Sequence, residues 1–405
     1  MNQKTIISLA LLAVIAIVAA VAVKRHEAPL SEVAAGDAWL APALRDHIND
    51  VRQVLIKGAG DKVLATLVRG DKGWTLAQKG GYAVDSGKLR ELLLKLAEAR
   101  LIEQKTGAAD KYATLGVQDV AAADAKGVQI ELDGLAQPFV LIIGDSNPRG
   151  GTYVRRAGEA QSWLTGASLT VDRDAANWLR KDLVSLPATR IASVTLTPGE
   201  GKPVRIEKQA ADGADFHLLD VPKGREPGDA FTINAIAGVL DGLQLDDVMP
   251  AAEAPAPAPA AARKARFETV DGVVVELTGW DRDGKHFATL TAVLDDAAAA
   301  HAIDAAQAKV KVEYDKAVAD ASANEEGDKA GEAPVKPLAV TDPAKDRANR
   351  LAALGGEVAG MNARFGGWAF VLPAYKYANI DKSMADLLKP LEPATAAGKA
   401  TPAKR

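Results

Sequence analysis

The same order of predicted strands and helices occurs twice along this chain. In the first copy, alternating apolar and polar residues predict strands at 51–57 and 63–69, with a Gly-rich turn between them. A helix follows, and its leucines from Leu89 to Leu96 recur at helical spacing on one face. A short strand at Trp74–Leu76 precedes that helix. After the helix come strands at 128–132, 139–143, 152–156 and 162–165, and a last helix at 175–181.

The order restarts at Arg190, in a strand predicted at 190–196. The second copy then has strands at 204–208 and 216–219, a helix at 231–243, strands at 267–270, 273–277, 286–293 and 367–372, and a helix at 380–388. Because the elements follow one another in the same order, we expect an internal duplication. The alternative is a pair of unrelated α+β domains.

The predicted fold class is α+β, with an N-terminal transmembrane helix followed by two similar units of antiparallel strands with covering helices, plus an inserted helical hairpin. The predicted parts are a signal anchor at 1–26, a first unit at 27–188, a second unit at 189–390 and a disordered tail at 391–405. Within the second unit we expect a Pro/Ala linker at 251–262 as an extended surface loop, and an Ala-rich insertion at 295–356. The insertion has helical patterns at 297–320 and 343–354, joined by a flexible tip.

The N-terminal segment from Thr5 to Val23 is apolar and long enough to cross a hydrocarbon core of about 30 Å. A cleavable signal peptide, ending at Ala20-Val21-Ala22, would have a shorter apolar region of about 7–15 residues. An uncleaved anchor explains the full run, so we expect residues 5–23 to cross the bacterial inner membrane once. Both alternatives place the C-terminal body in the periplasm.

The chain contains no Cys, which excludes disulfides, thiolate catalysis and Cys-ligated zinc or iron–sulfur clusters. The same absence suits an oxidising compartment, where stray thiols would mispair. Lys and Arg total 49 against 53 Asp and Glu, and the net charge of -4 gives no overall attraction to nucleic acid. We therefore expect no nucleic-acid partner.

One segment suggests a hydrolase. The predicted strand from Val140 runs into Gly144-Asp145-Ser146, as in esterases of the Gly-Asp-Ser-Leu type, and Asp283–His286 matches their Asp-x-x-His element. A nucleophile turn should lead into a helix, but the residues after Ser146 lead into a strand. We therefore predict a hairpin turn at Gly144–Gly151. That turn could also present backbone N–H groups and Arg149 to an anion.

No other motif predicts catalysis, a cofactor or a metal site. The histidines lie in separate segments, none three or four residues from another, so surface or structural roles are expected for His26, His47, His217, His286 and His301. Tryptophans on predicted strands and helix ends are expected in the core: Trp74, Trp163, Trp178 and Trp368.

The first copy resembles the bacterial domain-of-unknown-function family 4340. The resemblance covers about residues 51–186 and is carried by Tyr112-x-x-Leu115-Gly116-Val117, Ile142-Ile143-Gly144 and Thr152-Tyr153-Val154-Arg155. It implies a membrane-anchored envelope protein, related to auxiliaries of gliding-motility-type ABC transporters, and it brings no catalytic residues.

We therefore expect a non-catalytic accessory or scaffold protein of an inner-membrane envelope complex, in which the insertion 295–356 contacts other envelope proteins. One alternative is a periplasmic ligand-binding module with a cleft between the two units. Another is a hydrolase that uses Ser146.

Overall fold

The computed structural model describes residues 38–209, 213, 215–257, 262–323 and 334–390. The predicted anchor at 1–26, the tail at 391–405 and the tip of the insertion from 324 to 333 lie outside these residues. Among the described helices, none is both long enough and apolar enough to cross a membrane. The predicted fold class is therefore corrected: the fold is α+β with large antiparallel sheets, and it contains no transmembrane helix in the residues that the structure describes.

The described residues form short strands and a smaller number of helices. The strands are β1 Ala38–Trp39, β2 Gln53–Gly58, β3 Lys62–Gly70, β4 Gly73–Leu76, β5 Tyr82–Ala83, β6 Arg100–Gln104, β7 Val128–Asp133, β8 Phe139–Ser146, β9 Thr152–Arg156, β10 Ser162–Thr165, β11 Asp182–Val184, β12 Ile191–Thr197, β13 Val204–Lys208, β14 Phe216–Leu218, β15 Leu243–Gln244, β16 Asp247–Pro250, β17 Arg263–Thr269, β18 Val273–Arg282, β19 Lys285–Leu294 and β20 Trp368–Val371. The α-helices are α1 Pro42–His47, α2 Ser86–Glu98, α3 Tyr112–Leu115, α4 Ala230–Ala237, α5 Asp296–Ala323, α6 Leu338–Thr341, α7 Pro343–Phe365 and α8 Ala374–Ile380.

The two large sheets share one strand order. The first has the order β1-β6-β10-β9-β8-β7-β2-β3-β4-β5, and the second has β16-β20-β19-β18-β17-β12-β13-β14. Without β1 and β5 at its edges, the first sheet matches the second strand for strand, from β6 on β16 to β4 on β14. The pairs β2–β7 and β12–β17, which join the early strands of each sheet to the later ones, are both antiparallel.

Alternation along the strands explains why these sequences form sheets with one buried face. In β2 every second residue is buried, and Val54 and Ile56 are fully enclosed. The helix α2 buries the leucines that were predicted on one face: Leu89, Leu92, Leu93 and Leu96. In the second sheet α4 packs on β12 and β14, and buries Ile233 and Ile236.

The chain forms two compact units, and neither is a single continuous stretch. The first unit contains the described residues up to Thr75 and then Ser86–Ala175. The second contains Leu76–Asp85 and the described residues from Ala176 onward. In the second unit, Tyr82 lies edge-on to Trp368 at 5.0 Å between ring centroids, and Lys79 pairs with Asp247 at 2.5 Å. The segment 76–85 thus belongs to the core of the second unit.

Two predicted helices differ from the structure. The helix predicted at 175–181 is a single 3-10 turn, Ala175–Trp178, and the helix predicted at 380–388 is replaced by α8 and the 3-10 turn Met384–Leu387. Each turn is followed by an isolated bridge to distant chain, Leu179 to Val84 and Leu388 to Pro227. In each copy, the bridge directly after the 3-10 turn ends the helical segment.

The Pro/Ala linker also differs from the extended surface loop that its composition predicts. In its described residues, the Pro255 carbonyl accepts a hydrogen bond from the Trp280 indole at 2.8 Å. Ala254 packs against the buried cluster of Trp280 and Phe287, and the Ala251 N–H donates to the Gly367 carbonyl. The start of the linker is therefore held against the second sheet.

Candidate functional site

The helical insertion separates β19 from β20 in the second sheet, where the first sheet has only residues 157–161 between β9 and β10. It consists of α5, α6 and α7, and α7 extends to Phe365, well beyond the predicted helical end at 354. Met361 and Phe365 are buried, and the Asn362 amide pairs with both backbone groups of Ala292 on β19. The C-terminal end of α7 is thus part of the fold of the second unit.

An arginine fixes the base of the insertion. Arg190 donates two hydrogen bonds to the Glu357 carboxylate on α7, at 2.6 and 2.7 Å, and one to Asp271 at 2.9 Å. The hydrogen bonds that Arg190 donates to Glu357 and then to Asp271 raise the pKa of Arg190 above its ordinary value. Such a bidentate pair sets the orientation of α7 more sharply than a single contact.

A second cluster joins α5 to α7 further along the hairpin. Gln307 donates to the Pro343 carbonyl at 2.8 Å and to the Asp346 carboxylate at 2.9 Å, and Arg350 donates to the same carboxylate at 2.8 Å. Arg347 pairs with Asp304. The hydrogen bond from Gln307, and then that from Arg350, lowers the pKa of Asp346. The carboxylate therefore remains charged and paired well below neutral pH.

Beyond Gln307 the insertion exposes apolar side chains. Val312 on α5 is 67% exposed, Val335 is 91% exposed and Leu338 on α6 is 39% exposed. This half of α5 also contains the half-buried Val310, Tyr314 and Val318, and its other residues are mostly exposed alanine and charged side chains. The distal half therefore contributes little to a core and offers a contact surface.

The hairpin turn predicted at Gly144–Gly151 is confirmed. Ser146 ends β8 and pairs with Thr152 on β9, so the chain continues from one strand into another and not into a helix. Three N–H groups of the turn are engaged within it: Asn147 to the Gly151 carbonyl, Gly150 to the Asn147 carbonyl, and Arg149 to the Asn147 side chain. Ser146 is exposed in the first unit. In the second unit, Asp283 and Gly284 form the turn between β18 and β19, and Lys285 and His286 begin β19.

The described histidines are scattered. His47 bonds to Asp50 at 2.8 Å and His286 bonds to Asp281 at 2.6 Å, while His217 and His301 are exposed on β14 and α5. His286 also stacks on Tyr377, whose pKa is raised by burial and by the Asp281 and Asp381 carboxylates. Within the described ranges, no group of three or more His, Asp or Glu residues is placed to hold a metal ion.

The residues that carry the family resemblance form one packed centre in the first unit. Arg155 is 3% exposed and donates from Nε to the Val117 carbonyl at 2.9 Å and from Nη1 to the Glu159 carbonyl at 3.0 Å. Its third bond is to the Asp119 carboxylate, and its guanidinium lies 4.5 Å from the centre of the Tyr112 ring. The Tyr112 hydroxyl donates to the Ala160 carbonyl. These side chains hold the 112–117 segment and the β9–β10 connection to the sheet.

Gly144, which belongs to one of these motifs, and Gly127, which lies against Gly116 of another, allow one backbone segment to lie directly on a second. A Cβ added to Gly144 would stand 2.2 Å from the Leu115 carbonyl oxygen, and one added to Gly127 would stand 2.3 Å from that of Gly116. Gly116 itself ends α3 in the left-handed region, at a φ of 68°. The motif therefore encodes close packing of these backbone segments.

Of the four tryptophans that were predicted in the core, one is fully buried and three are half-buried. Trp178 is 1% exposed, as expected for a core residue, and Trp74, Trp163 and Trp368 are half-buried.

The sequence did not predict the contacts at the base of the insertion, because Arg190 lies 81 residues from Asp271 and 167 from Glu357. No local pattern signals contacts over such separations.

Residues 74–265 match the family described as Domain of unknown function (DUF4340). The match begins inside β4 and ends inside β17, so it covers the later part of the first copy and the start of the second. It supports the resemblance to this family that Tyr112–Val117 and Thr152–Arg155 predict. Comparison with curated proteins and with solved structures finds no match.

Proposed function

We propose that this protein is a non-catalytic accessory or scaffold protein and that its helical insertion binds another protein. One observation carries the proposal. The two sheets have the same strand order, yet only the second has helices inserted between β19 and β20, the strands equivalent to β9 and β10. Because the first sheet forms with a short connection at 157–161, the insertion is not needed for this strand order. Elements added outside a core are where binding surfaces concentrate.

The distal half of the insertion fits this role better than its base. The base is engaged in internal contacts, through Arg190, Glu357 and Asn362. The distal half exposes Val312 on the alanine-rich helix α5, Leu338 on α6 and Val335 in the segment just before α6. Exposed apolar side chains on a projecting helix pair can fill pockets on a partner.

We extend the proposal to an envelope complex and to association with an ABC transporter, on the resemblance of the first copy to family 4340. The absence of Cys supports a location outside the cytoplasm. A fusion of alkaline phosphatase to the C-terminus is expected to be active, because that enzyme needs an oxidising compartment to form its disulfides. The same fusion lacking residues 1–26 serves as the control, and an inactive full-length fusion would contradict the location.

A deletion tests the binding role. The Gln307 side chain contacts the Pro343 carbonyl at 2.8 Å, so the two helices can be joined there after removal of residues 308–342 and addition of a short Gly/Ser linker. We expect this variant to fold with an unfolding midpoint within a few degrees of the full chain, because Arg190–Glu357 and Arg350–Asp346 remain. Co-purification of the partner from cross-linked cells is expected to be lost.

A site-specific cross-linker supplies a matched comparison. Benzoylphenylalanine at Val312 is expected to capture a defined partner, which mass spectrometry identifies and a purified-component binding assay then verifies. The control position is Tyr375 on α8, which has the same exposed fraction of 67% in the same unit. Equal capture at both positions, or unchanged co-purification by the 308–342 deletion, would argue against the insertion as the binding surface.

A further inference from the structure

A cleft of about 390 Å³ lies beside α2 in the first unit. One face of α2 contributes Leu89, Arg90, Leu93 and Leu94, which recur at helical spacing along two turns. The opposite side is formed by Arg69 at the end of β3 and Trp74 on β4. The volume falls in the range of about 300–1,000 Å³ that small-molecule sites occupy.

The cleft has an apolar wall that the fold leaves accessible. Leu89 and Leu93 are buried beneath it, and Trp74 is half-buried. Leu94 is 38% exposed because it lies outside the buried face of α2. An indole ring and leucine side chains that line a cleft of this volume suit a flat or chain-like apolar group.

The charged side chains of the cleft are all cationic. Arg69 and Arg90 line it, and no Asp or Glu is among its lining residues. In the part of the chain that the structure describes, neither guanidinium forms an ion pair; Arg69 donates only to the Asn49 carbonyl. The adjacent acid on α2, Glu91, pairs with Lys95 at 2.6 Å. Asp50 and Asp71 line a separate cleft that shares Arg69, and Asp50 bonds to His47.

We propose that this cleft binds an organic anion with an apolar body, the anionic head between Arg69 and Arg90 and the body against Trp74 and Leu94. Guanidinium groups present paired N–H donors that match a carboxylate or a phosphate. The site lies in the first unit and is independent of the role proposed for the insertion.

Calorimetric titration of the full chain with decanoate tests the proposal. We expect saturable binding of decanoate and of decyl phosphate, and binding at least about tenfold weaker for decyltrimethylammonium, because only an anion can pair with the two guanidiniums. Butyrate, which retains the head but lacks most of the body, is expected to bind at least about tenfold more weakly than decanoate. Equal binding of the cationic and anionic amphiphiles would overturn the proposal.

Variants assign the binding to this cleft. The double variant Arg69→Gln/Arg90→Gln is expected to bind decanoate at least about tenfold more weakly, whereas Arg149→Gln, at an exposed hairpin turn of the same unit, is expected to bind as the unchanged chain does. Binding should also shift tryptophan emission to shorter wavelength, and Trp74→Phe should abolish that shift while the other five of the six tryptophans remain. Circular dichroism verifies that each variant is folded.

Vesicles of phosphatidylglycerol distinguish a lipid headgroup from a free anion. Sedimentation with vesicles that requires Arg69 and Arg90 would identify a lipid, and decanoate binding without sedimentation would identify a free anion; both outcomes support the shared chemistry. Failure of decanoate, decyl phosphate and vesicles alike, or affinity that is unaltered in the double variant, would overturn it.

Discussion

Replacement of Arg155 by leucine is expected to lower the free energy of unfolding by about 3 kcal/mol. The side chain is 3% exposed, and its loss leaves the Val117 and Glu159 carbonyls without their donor. Asp119 contributes less to this cost, because its side chain is 69% exposed and water can replace the guanidinium. Urea denaturation with far-ultraviolet circular dichroism measures the change as a lower midpoint.

The matched control is Arg149→Leu, at an exposed position of the Gly144–Gly151 hairpin in the same unit. Its midpoint is expected to correspond to a change within about 0.5 kcal/mol. If both leucine variants unfold at the same urea concentration, Arg155 does not hold the 112–117 segment as its contacts indicate.

A methyl group at Gly144 is expected to destabilise the first unit by about 3–5 kcal/mol, or to prevent its folding. The added Cβ would stand 2.2 Å from the Leu115 carbonyl oxygen and 2.8 Å from a Val117 methyl group. Because the neighbour at 2.2 Å is backbone, the clash is relieved only if the motif segment moves off β8. Thermal unfolding of Gly144→Ala, with hydrogen exchange at 112–117 as a local probe, measures the effect.

Gly355→Ala is the control for the cost of a methyl group. Gly355 lies inside α7, and nothing stands within 4 Å of the position that a Cβ would take. Alanine there is expected to leave stability unchanged or to raise it by up to about 1 kcal/mol, because glycine is a poor helix former. Wild-type stability in Gly144→Ala would show that the close approach of the two backbone segments is not required.

Sequence periodicity predicted the strands and helices whose own residues alternate or recur at helical spacing. The alternation in β2 and the leucine spacing in α2 are examples, and both are buried as their patterns require. The strands β6 and β16 were missed, since Arg100–Gln104 and Asp247–Pro250 are short and carry no clear alternation. Their pairing with β10 and β20 makes them strands, and that pairing depends on distant chain.

The candidate sites show the same limit. The apolar and charged residues of the cleft beside α2 come from four separate elements: α2, β3, β4 and the 3-10 turn Ile48–Asp50. The local signal was Leu94, a partly exposed leucine outside the buried face of its helix. The hairpin that contains Ser146 could be predicted from local sequence, because Thr152–Arg156 after the turn has the pattern of a strand. The local sequence thus predicted the hairpin around Ser146, but it could not predict a cleft whose residues come from separate elements.

The contacts of Tyr112 and Arg155 bear on how the two copies can diverge in length. Both side chains bond to the connection 157–161, through the Ala160 and Glu159 carbonyls, and so fasten the junction between β9 and β10. The second copy has no Tyr-x-x-Leu-Gly-Val segment, and the equivalent junction between β19 and β20 holds the helical insertion. A connection whose backbone carbonyls are bonded to core side chains tolerates few added residues. A connection without such bonds can gain whole helices without disturbing the strands. In relatives of this protein, loss of the tyrosine–arginine pair from a copy should therefore mark the junction at which new segments have accumulated.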